Sequence, residues 1–299
     1  MPRLSYEALP TERPNPRSRR LDSLSPLEIV ALMNREDRRV VEAVARVRRQ
    51  VARAVGVIAR RLASGGRLFF VGAGTSGRLG VLEAAECPPT FGTPPSLVQA
   101  IVAGGRGSVF RSREGAEDRA GEGRRAVGGR IRAGDVLVGV AASGVTPFVR
   151  ASLAEARRRR CRTVLVAMNA RSPMARLADV AIAPSIGPEI LAGSTRLKAG
   201  TATKMILNML TTGAFVGLGK TYGNWMVDLE PRSRKLRARA ERLVRLLGKV
   251  SRARARRYLR AAGGRTKVAI LMARRGVSAR AAARLLGRAG GSLRRSLDG

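Results

Sequence analysis

Residues 67–80, RLFFVGAGTSGRLG, decide the fold. Leu68-Phe69-Phe70-Val71 is a short continuous apolar run, the pattern of a strand buried on both faces. Gly72-Ala73-Gly74-Thr75-Ser76-Gly77 follows without a spacer, and a helical stretch is expected over 77–86. Strand, glycine-rich turn and helix start form the geometry in which backbone N–H groups and the positive end of a helix hold a phosphate. The turn is not a dinucleotide fingerprint, because no acidic residue near position 95 closes a second strand. It is not a P-loop, because no Gly-Lys-Ser/Thr follows. The hydroxyls of Thr75 and Ser76 point instead to a small phosphate monoester.

Further apolar runs at 97–103, 136–141, 163–167 and 180–183 read as strands, and 147–160 reads as a helix. Short apolar strands alternating with helices predict an α/β protein with a parallel sheet covered on both faces. Upstream, Ser25-Pro26-Leu27-Glu28 is a helix start with a Ser cap, Pro at the first position and Glu three after the cap. Val40, Val44, Val47, Val51, Val55, Ile58 and Leu62 step by three and four, predicting one helical face that ends at Gly65-Gly66. Residues 1–24, rich in Pro and Arg, form an arm. Residues 205–219 read as a buried helix, too short at 15 residues for the roughly 20 that span a bilayer. From about 236 onward the pattern is helical only, punctuated by Gly263-Gly264, Gly276 and Gly290-Gly291. The expected organisation is an arm and long helix over 1–66, a sheet domain over 67–235 and a small helical region over 236–299.

Two more segments repeat the chemistry of the first loop. VAASGVTP at 140–147 carries Ser143 and Thr146, and AGSTRLKAGTATK at 192–204 carries Ser194, Thr195, Arg196 and Lys198. Three hydroxyl-rich helix starts converge on one phosphorylated ligand at the carboxyl ends of the strands. Carboxylates are scarce, so two clusters stand out: Glu83 with Glu86, three apart on one helical face, and Glu114, Glu117 and Asp118 in REGAED. Two carboxylates from separate segments can divide general acid and base work. Cys87 has no His to activate it and reads as a buried thiol.

Composition narrows the chemistry. The 299-residue chain has 58 Lys and Arg against 21 Asp and Glu, a formal net charge of +37, and no histidine. His-based triads, His-ligated zinc and imidazole acid–base catalysis are therefore excluded. Two cysteines build no disulfide framework, and the opening lacks signal-peptide features. Both observations predict a reducing, cytoplasmic compartment with no membrane partner. The positive charge is scattered, with only six lysines and 3% aromatics. It reads either as a compositional bias of solvated surfaces or as a contact with polyanions, and the contact expected is non-specific, salt-sensitive nucleic-acid binding.

The blocks VGAGTSGRLGVLEAAECPPTFGTPP, AGG, EGAED, GDVLVGVAASGVTP, GSTRLKAGTATKMILNML and YGNWMVD resemble the N-acetylmuramic acid 6-phosphate etherase family. So does the opening Thr11-Glu12, Asn15-Pro16, Leu21-Asp22 and Ser25. The resemblance covers nearly the whole chain. It implies a three-layer αβα sugar-isomerase (SIS) fold, followed by a small helical part, in a homodimer that needs neither metal nor cofactor. The implied reaction converts N-acetylmuramic acid 6-phosphate and water to N-acetylglucosamine 6-phosphate and D-lactate. In the open-chain sugar the aldehyde acidifies the C2 proton. A base removes it, an acid protonates the departing lactyl oxygen at C3, and water adds to the unsaturated aldehyde. By position Glu86 resembles the family's proton donor and Glu117 its second acid, with either carboxylate open as the base at C2.

The resemblance has gaps. An Arg and a Tyr usual in the second loop are Val145 and Phe148, and an Asn usual before Lys235-Leu236 is Ser233. Their loss keeps a second expectation open: a non-catalytic sugar-phosphate sensor similar to the glucokinase regulatory protein. A nucleic-acid-binding regulator with a sugar-phosphate domain is a third, opposed by an N-terminal region that reads as an arm and one long helix.

Overall fold

The computed structural model describes residue 7 and residues 9–229, 231 and 233–298. Residues 1–6 and 8 of the arm, and Arg232 of the basic run 232–239, lie outside the described residues. By backbone proximity the chain divides into two compact units. The first comprises Met1–Ala84 with Ser96–Thr211, the second Ala85–Pro95 with Thr212–Gly299.

The first unit is built on five parallel strands: β1 Leu68–Gly72, β2 Val98–Val102, β3 Val136–Val140, β4 Arg162–Val166 and β5 Val180–Ile182. Their order is β2-β1-β3-β4-β5, with Phe70 paired to Ala100 on one side and Val138 on the other. All five apolar runs are strands, and β1 and β3 are buried along their full length. The main core packs Phe69, Val71, Leu137, Phe148, Leu153, Leu165 and Met174. Phe148, which stands where the resemblance has Tyr, is 1% exposed in this core; a phenolic hydroxyl there would need a partner.

The N-terminal helix is two helices, α1 Pro26–Arg46 and α2 Arg48–Ala63. α1 opens with the expected capping box between Ser25 and Glu28. The predicted continuous helix breaks at Val47 (φ −97°, ψ 15°), where the Arg48 guanidinium also donates to the Ala45 carbonyl at 3.2 Å. The apolar stripe continues across the break, with Val40, Val44, Val51, Ile58 and Leu62 all buried. Periodicity alone does not register such a break, because the stripe stays in phase.

Two helices are longer than expected. α3 is Gly74–Phe91: it begins in the glycine turn and runs through Pro88 and Pro89. α6 is Lys198–Gly217, beginning seven residues before the apolar run that predicted it. Between them lie α4 Ala120–Gly128 and α5 Pro147–Arg158.

In the second unit come α7 Arg234–Gly248, α8 Arg252–Ala261, α9 Thr266–Arg275, α10 Ala279–Arg288 and α11 Leu293–Asp298. The three glycine breaks fall between helices as expected. A further break at Lys249, in the left-handed region (φ 54°), separates α7 from α8. Ser233 caps α7, accepting from the Leu236 N–H at 3.2 Å. Ser and Asn are about equally good helix caps, so Ser233 fills the capping role where the resemblance has Asn. This unit packs on Val227, Val244, Ala269, Ile270, Leu271 and Leu293.

Candidate active site

In a sheet ordered 2-1-3-4-5, the strand connections diverge between β1 and β3, and ligands bind beyond the carboxyl ends of the strands there. The loops that leave these two strands carry Thr75 and Ser76, and Ser143 and Thr146. Tight helix–strand packing positions the first loop. A Cβ at Gly77 would lie 2.7 Å from the Gly72 oxygen, and one at Gly80 would lie 2.8 Å from Phe70 Cβ. Only glycine lets α3 start this close to β1. Thr75 and Ser76 fall in the first turn of α3, where backbone N–H groups lack intrahelical partners. Both side chains are half-buried.

The second loop turns on Gly144, in the left-handed region (φ 75°), where a side chain would collide with Ser172. Ser172 Oγ donates to the Gly144 carbonyl and Asn169 Nδ2 donates to the Ser143 carbonyl at 3.1 Å. Both bonds engage backbone, leaving the Ser143 hydroxyl to accept only a long 3.4 Å bond from the Val145 N–H. Thr146 caps α5 by position without a side-chain bond to the helix. Its buried hydroxyl therefore stands at a helix N-terminus that begins with Pro147.

The third segment divides. Ser194 and Thr195 are half-buried in the turn before α6. That turn lies beside the first loop: a Cβ on Gly200 would sit 3.7 Å from both Thr75 Cγ2 and the Thr195 oxygen. Lys198, expected to bind phosphate, is turned inward. It is 2% exposed, with Nζ 2.6 Å from Glu36 Oε2. The N-terminus of α6 is also engaged from within, since Glu189 accepts from the N–H groups of Lys198 at 3.0 Å and Ala199 at 2.8 Å. Burial pushes the Glu189 carboxyl up while these N–H groups oppose the shift. An internal carboxylate thus occupies the first N–H groups of α6.

Glu117 lies in a short 3₁₀ turn, Ala116–Asp118, entered through left-handed Gly115. A cavity of about 120 Å³ brings it to the first loop, lined by Gly74, Arg78, Ser108, Arg113 and Glu117. Glu117 is exposed at the cavity mouth. Its carboxyl is nonetheless pushed above the ordinary range, first by the protein packed around it, then by the charges of Asp118 and Glu114. Ser108, which sequence reasoning missed, is 4% exposed in the wall of this cavity, and its hydroxyl has no partner among the described residues. The glycines before it were the only available signal.

Glu83 and Glu86, three apart on α3, have opposite surroundings. Glu83 is buried, 2.9 Å from Lys204 Nζ and bonded to the Thr211 hydroxyl. Glu86, in the second unit's stretch of α3, is exposed. Cys87 is buried, as is Cys161, whose thiol is pushed up to about 11 chiefly by burial. Among the described residues no group of three or more His, Cys, Asp or Glu is placed to hold a metal ion.

The parallel sheet and its hydroxyl-bearing switch-point loops belong to an SIS-domain protein. The chain matches the SIS domain over residues 118–213 and the glucokinase regulatory protein N-terminal SIS domain over 50–157. A phosphoheptose isomerase structure from Francisella tularensis aligns with a TM-score of 0.49 at 14% identity, over 63% of this chain and 100% of that one. The N-acetylmuramic acid 6-phosphate etherase of Symbiobacterium thermophilum is 52% identical over 275 residues, 92% of this chain and 91% of its own. That of Synechocystis is 52% identical over 289 residues, 96% of this chain and 95% of its own. The chain belongs to the N-acetylmuramic acid 6-phosphate etherase family. Among the described residues no helix is long and apolar enough to cross a membrane.

Proposed function

We infer that this protein is a carbon–oxygen lyase. It cleaves the D-lactyl ether of N-acetylmuramic acid 6-phosphate by elimination and water addition, giving N-acetylglucosamine 6-phosphate and D-lactate in cell-wall sugar recycling. The observation that carries the reading is identity of about half along nearly the whole length of etherases. The sensor reading is not favoured, because the relatives that share about half their residues with nearly the whole chain are named etherases.

In this reading Ser76, Ser143 and Thr146 ground the 6-phosphate, with Thr75, Ser194 and Thr195 beside them. Support comes from their place at the β1/β3 switch point and from helix starts that offer N–H groups and hydroxyls. Glu86 and Glu117 divide the two proton transfers, removal at C2 and donation to the lactyl oxygen. The raised Glu117 pKa supports this role, since a carboxyl nearer the working pH exchanges protons more effectively. Residues 67–235 serve as the catalytic domain and 236–299 as its helical appendage, in a cytoplasmic homodimer. The positive charge adds non-specific nucleic-acid contact with no part in turnover.

The test is incubation of the purified chain with N-acetylmuramic acid 6-phosphate and assay of D-lactate. Release above an enzyme-free control is expected, and none would refute the reading.

A further inference from the structure

Among the described residues, the second unit contains a buried helix start whose N–H groups have no acceptor. α9 begins at Thr266, and Arg265, at its N-cap, supplies no side-chain bond. Thr266, Lys267 and Val268 are all buried. Among the described residues their backbone N–H groups find no acceptor, because the nearest turn bonds end at Arg265 N and resume at Ala269 N. A buried helix end normally has its N–H groups capped, and three free ones form a strongly anion-seeking surface.

A second, independent observation falls at the same place. The Thr266 hydroxyl is buried and has no hydrogen-bond partner among the described residues. Such a group costs free energy unless a ligand completes it. Thr266 also lines a cavity of about 600 Å³, together with Gly263, Gly264, Arg265, Lys267 and Gly291. Gly263 and Gly264 both adopt positive φ, 60° and 80°, and present no side chain to block the approach. Asp228 is the acidic residue of this cavity among the described residues. It is neutralised by Lys220 at 2.7 Å and Lys267 at 3.0 Å. Arg265 Nε donates to the Ala262 carbonyl at 3.1 Å, and the residue is exposed and lines the cavity.

We propose that the α9 N-terminus, the Thr266 hydroxyl and Arg265 form a second oxyanion site, separate from the switch-point loops and selective for phosphate or a phosphate monoester. The donor count decides the class. Three N–H groups, one hydroxyl and a guanidinium match the oxygens of a phosphate, whereas a carboxylate offers only two. The proposal does not depend on the etherase reading, because its readout is binding.

The experiment is calorimetric titration of the full chain with inorganic phosphate, glucosamine 6-phosphate and D-lactate in separate arms at low ionic strength. Thr266→Val and Arg265→Gln are compared with a Ser76→Ala/Ser143→Ala double variant. One class of phosphate binding should weaken about tenfold or more in each α9 variant and persist in the double variant. D-Lactate should bind that class at least about tenfold more weakly than phosphate. Binding by inorganic phosphate but not by the sugar phosphate would assign the free ion; binding by both would assign the monoester class. Titrations unchanged by Thr266→Val and Arg265→Gln, or D-lactate binding as tightly as phosphate, would overturn the proposal. Arg265 is exposed, so Arg265→Gln decides alone if Thr266→Val does not fold.

Discussion

Glu117 stands beside two other carboxylates in a chain with 58 basic residues, and its surroundings disfavour its charged form. If Glu117 and Glu86 share the proton transfers, Glu117→Gln and Glu86→Gln each lower D-lactate release by roughly 100- to 10,000-fold. Activity within threefold of wild type would remove that residue from the mechanism. Stability gives a separate check on Glu117. A raised carboxyl pKa favours the neutral folded form, so its contribution is present below the ordinary pKa and lost as pH rises through the raised value. Glu117→Gln should therefore melt above wild type at pH 8 and level with it near pH 3. The opposite order at pH 8 would show that the folded protein prefers the charged form. At this scale the sequence was legible where chemistry is local. REGAED marked the acidic cluster, but no spacing marked Ser108, whose missing partner exists only in three dimensions.

The elements show where pattern reading holds and where it fails. All five strands fall on apolar runs, and β1 and β3, buried along their full length, leave the continuous signature of a strand covered on both faces. The α6 start was displaced because its first turns are small and polar, and what fixes them lies far away in sequence. Glu36 on α1 and Lys198 on α6 are 162 residues apart and both 2% exposed. Asn15 adds a bond to Glu36 at 2.9 Å and one to the Pro188 carbonyl at 3.0 Å, tying the arm to both segments. Removing only the acid strands a buried ammonium, so Glu36→Leu should lose about 3–5 kcal/mol in denaturant unfolding. Glu36→Leu/Lys198→Met should recover much of that loss. A double variant no better than the single would mean that the arm contacts, not the ion pair, dominate. Burial pushes Glu36 up, but the bonds from Lys198 and Asn15 hold it below its ordinary value. Its contribution is therefore present above that value and lost as pH falls, and the double variant should be less acid-sensitive than wild type. In the second loop, Ser143→Ala should raise KM more than it lowers kcat, because phosphate binding is shared by ground and transition states. Equal processing of the unphosphorylated sugar would contradict the phosphate assignment.

For the whole molecule, the net charge of +37 is the property least explained by the fold. Part of it works internally. Arg158 and Arg159 pair with Glu155, Arg252 and Arg256 pair with Glu241, and Arg67 chelates Asp135 while stacking over Phe69. Basic residues outnumber acids by 37, and many arginines are exposed along helices such as α7 and α8. A surface of this kind releases counterions when it meets a polyanion, and that binding weakens steeply with salt. With 3% aromatics there is little to stack on bases, so sequence preference should be slight. Titrating the protein against two unrelated duplexes at 50 mM and 200 mM salt should give equal affinities at each concentration and at least about a 100-fold loss between them. Lactate release measured alongside should not change with added duplex at the higher salt. A preferred duplex that still binds tightly at 200 mM would make nucleic acid a specific partner, and slower turnover on its addition would place that partner at the sugar site.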